Sequence, residues 1–325
     1  MEQEHRRVIF LVGPTAGGKT AVGIALARRI GAEIISADSM QVYRGMEILS
    51  AQPTAEDMRG VAHHGIGVRG PAQEYNAALF REFALPVISA IQARGNVPLI
   101  VGGSGLYIDA LRYGLAPDAG RNDAVRRSLA AQAQAEGSAA IYDLLREKDP
   151  AVAAAIHPHN VRRVIRALEA CLSHAQPFSQ VRAARQGLAA THRLRLFGLR
   201  RPRPELYARI DRRVEQMVAA GLVEEVRRLR SQALSATAAQ ALGVRQIGVY
   251  LDGQCALAEA VARLQQDTRH FAKRQLTWFR RDAQIEWLDV SAAMDADEIA
   301  ARIAETLRAA NDSAEASPGR PADSG

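Results

Sequence analysis

Eight residues near the amino terminus, Gly13-Pro14-Thr15-Ala16-Gly17-Gly18-Lys19-Thr20, carry the spacing GxxxxGK[ST]. Glycines let successive backbone N–H groups curl around a phosphate, and a helix starting at the end of the loop adds positive potential. Lys19 can neutralise phosphate oxygens, and the Thr20 hydroxyl can ligate Mg²⁺. The loop therefore specifies a bound di- or triphosphate, but not a reaction. An ordinary glycine turn is the bland alternative. The context speaks against it, because the apolar run Val8-Ile9-Phe10-Leu11-Val12 precedes the loop and a helical pattern follows. The second candidate is Asp38, at the end of the next apolar run. A carboxylate there could accept a proton or a hydrogen bond from a nucleophile, hold Mg²⁺ through water, or simply cap a helix. Ser39, Gln41 and Tyr43 follow it and could meet a base or a ribose.

The elements that must position these residues are legible as alternating strands and helices. Strands are expected over 7–12, 33–37, 97–101, 193–199 and 285–290. Helices are expected over 20–30, from 106 onward, over 204–231 with Gly221 as a weak point, and over 256–281. Such alternation implies an α/β fold with a parallel sheet covered on both faces. Open parallel sheets bind ligands at the carboxyl ends of their strands, which places Asp38 near the phosphate loop. Between about 120 and 191 the chain becomes rich in Ala and Arg and shows no strand. The expectation is thus a P-loop NTPase-like parallel sheet with flanking helices and an inserted all-helical domain. The core would be discontinuous, 1–118 with 194–311, the insertion would occupy 119–193, and 312–325 would form a disordered tail.

Composition sets the outer limits. The chain has 325 residues, 48% hydrophobic and 24% charged, enough apolar material for a buried core. No run of 18 apolar residues exists, so no membrane span is expected, and the first apolar run is too short for a secretory leader. Cys171 and Cys255 lack metal-ligand spacing and read as reduced thiols of a cytoplasmic protein. His63-His64 and His157-Pro158-His159 lack the cysteine or carboxylate that would complete a zinc site. The formal net charge is +7, and Lys19, Lys148 and Lys273 are the only lysines among 42 cationic residues. Arginine is the better planar partner for phosphate, so a polyanion is one reading of this balance. A soluble basic protein, with Arg favoured by genome base composition, is the other.

The loop at 13–20, taken together with Ile35-Ser36-Ala37-Asp38-Ser39-Met40-Gln41-Val42-Tyr43-Arg44-Gly45-Met46-Glu47-Ile48, resembles the tRNA dimethylallyltransferase family. Further matches are Val101-Gly102-Gly103-Ser104-Gly105-Leu106-Tyr107, Arg163 and Arg166-Ala167-Leu168-Glu169, Arg209-Ile210-Asp211-Arg212-Arg213, and Ala272-Lys273-Arg274-Gln275-Leu276-Thr277-Trp278-Phe279-Arg280. The resemblance covers nearly the whole chain and is far more specific than the phosphate loop alone.

It implies transfer of a dimethylallyl group from dimethylallyl diphosphate to N6 of adenine 37, beside the tRNA anticodon. The loop would then hold the leaving diphosphate, with Mg²⁺ as cofactor and Thr20 as its protein ligand. Asp38 matches the carboxylate that takes the N6 proton or orients the amine. Ser104 stands where the family usually has threonine. Arg213 matches an arginine that reaches the diphosphate, and Arg209, four residues earlier, shares its helix face. Contacts to tRNA are implied for Asp38, Ser39, Met40, Gln41 and Ser104, and for Gly243, Val244, Arg245 and Gln246. The insertion would grip the anticodon stem through Arg126 and the run Arg162, Arg163, Val164, Ile165 and Arg166. Arg269, Lys273, Arg274 and Arg280 would also face tRNA, whereas helical spacing assigns Trp278 and Phe279 to the core. The protein is expected to be a cytoplasmic monomer with no membrane partner.

Three departures from the family pattern stand out. Leu49-Ser50-Ala51-Gln52-Pro53 replaces Gly-Thr-Ala-Lys-Pro or a close variant, Gly67 replaces an aspartate, and Val244 replaces a tyrosine. Gln52 is expected to cost a cation near the substrate. Three other readings share parts of the pattern. A small-metabolite P-loop kinase leaves the basic insertion unexplained. An adenylate isopentenyltransferase has no use for so long an insertion. A non-catalytic RNA-binding protein has no need of intact Lys19, Thr20 and Asp38.

Overall fold

Strand β1, Arg7–Val12, is fully apolar after its first residue, as a strand buried on both faces must be. The computed structural model of the chain describes residues 6–115, 122–174, 177–183 and 185–315. After β1 come α1 (Lys19–Ile30), β2 (Ala32–Ser36), α2 (Glu47–Ser50), α3 (Ala55–Met58), β3 (His63–His64), α4 (Ala77–Ala93), β4 (Val97–Gly102) and α5 (Gly105–Tyr113). Five helices follow: α6 (Asp123–Ala135), α7 (Ser138–Lys148), α8 (Pro150–Ala154), α9 (Val161–His174) and α10 (Phe178–Ala183). The chain then returns through β5 (Arg193–Arg200), α11 (Arg203–Ala219), α12 (Leu222–Arg230), α13 (Val244–Leu251), α14 (Leu257–Phe279), β6 (Ile285–Asp289) and α15 (Ala296–Glu315).

All six strands form one parallel sheet in the order β3-β2-β4-β1-β5-β6. Val12 pairs with Gly102 and Ser36 with Val101, so the loops after β1, β2 and β4 leave the sheet side by side. Helices α1 and α15 cover one face through Val22, Leu26, Ile299, Ile303 and Leu307, packed on Ile9, Leu11, Leu99 and Leu199. Burying each such side chain contributes about 1.5–3 kcal/mol.

The chain divides into two compact units, Met1–Leu111 with Thr191–Gly325, and Arg112–Ala190. The helical unit is wider than the expected 119–193 at its entry, for a packing reason. An added Cβ at Gly187 would lie 2.4 Å from the Gly114 nitrogen, so the entering and leaving backbones touch there. The unit has its own core of Leu129, Ile141, Leu145, Val152, Val164 and Leu168. Asp149 ties it together, its Oδ1 accepting from the Val152 N–H at 3.1 Å and its Oδ2 from the Ser179 N–H at 2.7 Å.

Several expectations need correction. Gly221, at φ +103°, splits the helix expected over 204–231 into α11 and α12, because that left-handed backbone cannot continue a helix. Strand β3 escaped the sequence reading, being only two polar residues long. Its histidines serve structure. His63 Nδ1 contacts the Val61 carbonyl at 2.8 Å, and His64 Nε2 contacts Glu33 Oε2 at 2.7 Å. Glu33 also accepts from Arg94 and Asn96, and these bonds, led by Arg94, hold its carboxyl down at about 2. Among the described residues no three His, Cys, Asp or Glu side chains converge as a metal site. Helix α15 runs to Glu315, so 312–315 are helical rather than tail, and the remainder of the expected tail lies outside the described residues.

Candidate active site

The phosphate loop is shaped by glycines where the backbone demands them. Gly13 has φ +147°, and a Cβ there would sit 2.9 Å from the Leu199 carbonyl oxygen on the neighbouring strand. Gly18, at φ +101°, is the N-cap of α1 and leaves the helix amides without a side-chain cap, open to an anion. Lys19 Nζ donates to the Pro14 carbonyl at 2.8 Å, curled over the loop. Burial pushes its ammonium down to about 8, Asp38 opposes that shift, and Arg213 adds to it.

Three side chains from distant elements brace the loop. Gln275 of α14 accepts the Thr15 N–H at 2.8 Å through Oε1 and donates to the Gly103 carbonyl at 3.0 Å through Nε2. Arg201 Nε donates to the Gly17 carbonyl at 3.1 Å, and Arg209 Nε to the Ala16 carbonyl at 2.9 Å. Sequence reasoning assigned Gln275 and Arg201 no role. A polar residue on the buried stripe of α14 was the available signal for Gln275. Arg201, just past β5, had none.

Asp38 leaves β2 into an Asx turn, its Oδ1 accepting from the N–H of Met40 at 2.9 Å and of Gln41 at 3.4 Å. Its Oδ2 has no hydrogen-bond partner among the described residues. Ser104 is tied to the same turn. Its Oγ accepts the Ser39 N–H at 3.3 Å, while its own N–H donates to the Ala37 carbonyl at 3.3 Å. Gln41 Oε1 meets Ser36 Oγ at 2.8 Å, and Gln41 Nε2 donates to the Ala51 carbonyl at 3.3 Å. Arg213 of α11 donates to Thr15 Oγ1 at 3.4 Å and to the Ser50 carbonyl at 3.5 Å. Burial pulls its guanidinium below the usual arginine range, Asp38 works against that, and Arg209 reinforces it.

One cavity of about 430 Å³ has residues 15–20, Asp38, Gln41, Ser50, Arg209, Arg213 and Gln275 in its wall; Ser104 is not among its lining residues and joins the site through its bond to the Ser39 N–H. A cationic pole made of Lys19, Arg213 and the α1 amides thus faces a carboxylate with a free oxygen. The arrangement can stabilise a departing diphosphate at one end and accept a proton at the other.

The residues assigned to tRNA divide by burial and by partner. In the helical unit Arg162, Arg163 and Arg166 are all exposed. Arg166, together with the half-buried Arg126, binds Glu169, each at 2.9 Å, a carboxylate that is 1% exposed and also accepts the Asn122 N–H. Val164 is fully buried and Ile165 packs on the same apolar core, so neither side chain is placed for RNA. In the sheet unit Gly243 caps α13 at φ +107°, Val244 is buried, and Gln246 is buried with Nε2 on Asp267 Oδ2 at 2.6 Å. Arg245 alone of that group projects outward, its side chain 80% exposed. Phe279 is buried as expected, but Trp278 is 42% exposed and lies against Gly105, where an added Cβ would come within 2.4 Å of the ring.

The departures at Gln52 and Gly67 prove to be neighbours. A Cβ at Gly67 would lie 3.8 Å from Gln52 Oε1, and Gln52 Nε2 donates to the Tyr43 carbonyl at 2.8 Å. The two departures from the resemblance thus fall at one spot of the fold.

Two family models match the chain, IPP transferase over residues 41–282 and isopentenyl transferase over residues 6–70. The tRNA dimethylallyltransferase of Geobacillus thermodenitrificans is 43% identical over 304 residues, covering 93% of this chain and 95% of the relative. That of Thermomicrobium roseum is 44% identical over 312 residues, covering 95% and 94%. Among solved structures, the full-length tRNA isopentenylpyrophosphate transferase of Bacillus halodurans superposes with a TM-score of 0.69 at 40% identity, covering 95% of this chain and 99% of the other. A eukaryotic dimethylallyltransferase acting on tRNA shares the fold, with a TM-score of 0.80 at 24% identity, covering 98% and 81%. A family model spanning most of the chain and near full-length relatives at this identity place the chain in the IPP transferase family, that of the tRNA dimethylallyltransferases.

Proposed function

We propose that the protein transfers the dimethylallyl group of dimethylallyl diphosphate to N6 of adenine 37 in tRNA, releasing diphosphate. The observation that carries this reading is the shared cavity of Lys19, Arg213 and Asp38, in a chain of this family. The adenine leaves its stack to reach the site, as bases modified by enzymes do. N6 attacks C1 of the donor, the C1–O bond breaks, and its electron pair leaves with the diphosphate. Lys19, the loop amides and Arg213 stabilise that growing charge. The N6 proton passes to Asp38 Oδ2, while Oδ1 stays fixed by the turn. The Ser104 hydroxyl is oriented by the Ser39 N–H, which leaves its own proton for a phosphate oxygen or for Asp38.

Mg²⁺ fits this donor set as a substrate-borne ion. Thr20 stands at the cavity wall, no three-residue metal cluster exists among the described residues, and Mg²⁺ commonly takes few protein ligands beside phosphate and water. Bound there, it would supply further neutralisation of the diphosphate. Arg162 and Arg163 supply the phosphate grip on the anticodon stem, with Arg126 and Arg166 holding the scaffold through Glu169. Monomeric action in the cytoplasm completes the proposal. No helix among the described residues is long and apolar enough to cross a membrane.

The test is incubation with unmodified tRNA, labelled dimethylallyl diphosphate and Mg²⁺. Label is expected on adenine in tRNA and absent from AMP. Label on AMP, or on neither, overturns the reading.

A further inference from the structure

Helix α2 is a single turn whose N-cap, Met46, offers no side-chain acceptor. Its amides are capped from across the fold. The Ile48 N–H donates to Glu225 Oε2 at 2.9 Å, and the Leu49 N–H donates to Glu225 Oε1 at 2.7 Å. Glu225 lies on α12, is 1% exposed, and forms no ion pair among the described residues. A buried carboxylate without a cation is costly to keep. A Ser, Asn or Asp at position 46 would cap the same amides locally. A glutamate that reaches in from another helix therefore does something a local cap would not.

What it does is visible at the other end of α2. The Ser50 carbonyl accepts from Arg213, which sits on α11, the helix joined to α12 at Gly221. The α11–α12 pair thus holds this turn at both ends, a carboxylate on its amides and a guanidinium on its last carbonyl. Both charges match the polarity of the turn. The turn also supplies Ser50 and Ala51 to the cavity wall, and the Ala51 carbonyl accepts from Gln41. Arg213 makes only long bonds here, 3.4 and 3.5 Å, which it can exchange for phosphate oxygens without moving its helix.

We propose that Glu225 is a positioning residue of the diphosphate site, fixing the 47–50 turn so that Arg213 is held aimed at the donor. This rests on the diphosphate-transfer reading of the cavity. Glu225 touches no substrate and acts through the turn and Arg213.

The test compares wild type, Glu225→Ala, Glu225→Gln, Arg213→Ala and the Arg213→Ala/Glu225→Ala double variant. The readouts are KM for dimethylallyl diphosphate, kcat, Kd for inorganic pyrophosphate, Kd for tRNA and Tm. Glu225→Ala is expected to raise donor KM and pyrophosphate Kd by about tenfold, leaving tRNA Kd within about twofold, since coupling is local to contacting residues. Glu225→Gln, which keeps one acceptor oxygen, is expected to fall between, and it carries the test if the alanine variant does not fold. On the Arg213→Ala background the Glu225 substitution is expected to change pyrophosphate Kd by less than about twofold. Unchanged donor KM in the folded variants, or full additivity with Arg213→Ala, overturns the proposal. If the wild type modifies no tRNA, the functional reading fails instead, while the pyrophosphate cycle still reads the positioning role.

Discussion

Asp38→Asn removes the proposed proton acceptor and leaves the turn that holds it. An asparagine oxygen can still accept the Met40 and Gln41 amides, so the loop geometry and Tm are expected to persist. What disappears is the charge on Oδ2 and its ability to take the N6 proton. General bases contribute about 10²–10⁴ in rate, or about 2.7–5.4 kcal/mol in barrier, so kcat is expected to fall at least about a hundredfold. A second effect follows from Lys19. Asp38 is the group that opposes the downward push on its ammonium, so the variant's Lys19 titrates below about 8. Pyrophosphate affinity in Asp38→Asn is therefore expected to weaken at a lower pH than in wild type, and to recover on acidification, whereas the kcat defect stays. Single-turnover transfer with saturating tRNA gives the first quantity, and calorimetric titration of pyrophosphate between pH 6 and 9, a range chosen to bracket about 8, gives the second. Turnover within about threefold of wild type would refute the general-base role, because no weaker proton acceptor replaces a carboxylate so cheaply. Asp38→Ala should lose the same turnover and also the turn, and its further loss of stability measures the Asx bonds.

Three more outcomes are expected. In wild type, pyrophosphate binding should weaken as pH rises through about 8, because the free enzyme's Lys19 loses its proton there and only the ammonium neutralises phosphate; a flat profile over that range would remove Lys19 from the site. Arg162→Ala with Arg163→Ala should weaken tRNA binding and lower its salt slope by about 1.4–1.8, whereas Arg166→Ala should chiefly lower Tm by removing one of the two arginine partners of buried Glu169; equal salt effects from both would refute those assignments. Glu33→Gln should lose about 1–3 kcal/mol near neutral pH. The folded carboxyl of Glu33 sits at about 2, below its unfolded value, so its contribution is present above about 4.5 and vanishes as pH falls toward 2. Wild type and variant should therefore converge in acid, and a constant difference between them would refute the linkage.

Most of the framework was open to reading because it is written in local pattern. The phosphate loop, the apolar runs of β1, β2 and β4 and the glycines after β4 each carry their geometry within a few residues. Three features were not open to it. The two-residue β3 is held by pairing to Ile34 and Ile35 rather than by any propensity of its own histidines. The exposure of Trp278 depends on which side of α14 faces Gly105, and the helical repeat alone does not reveal that. The four arginines of the insertion assigned to tRNA look equivalent in sequence, yet a single buried acid, Glu169, recruits Arg126 and Arg166 into ion pairs and not Arg162 or Arg163.

The order of residues along the chain was enough to read a loop built for a di- or triphosphate, a carboxylate at the next strand end, and which family the chain joins. Those properties rest on backbone freedom and side-chain chemistry at short spacing. The division of labour among the remaining polar groups needed the folded molecule. Gln275 reaches Thr15 across 260 positions, and Glu225 reaches Ile48 across 177. Whether a buried polar side chain braces a loop, caps a turn or meets a substrate depends on which partner satisfies it, and that partner is chosen by packing between elements remote in sequence.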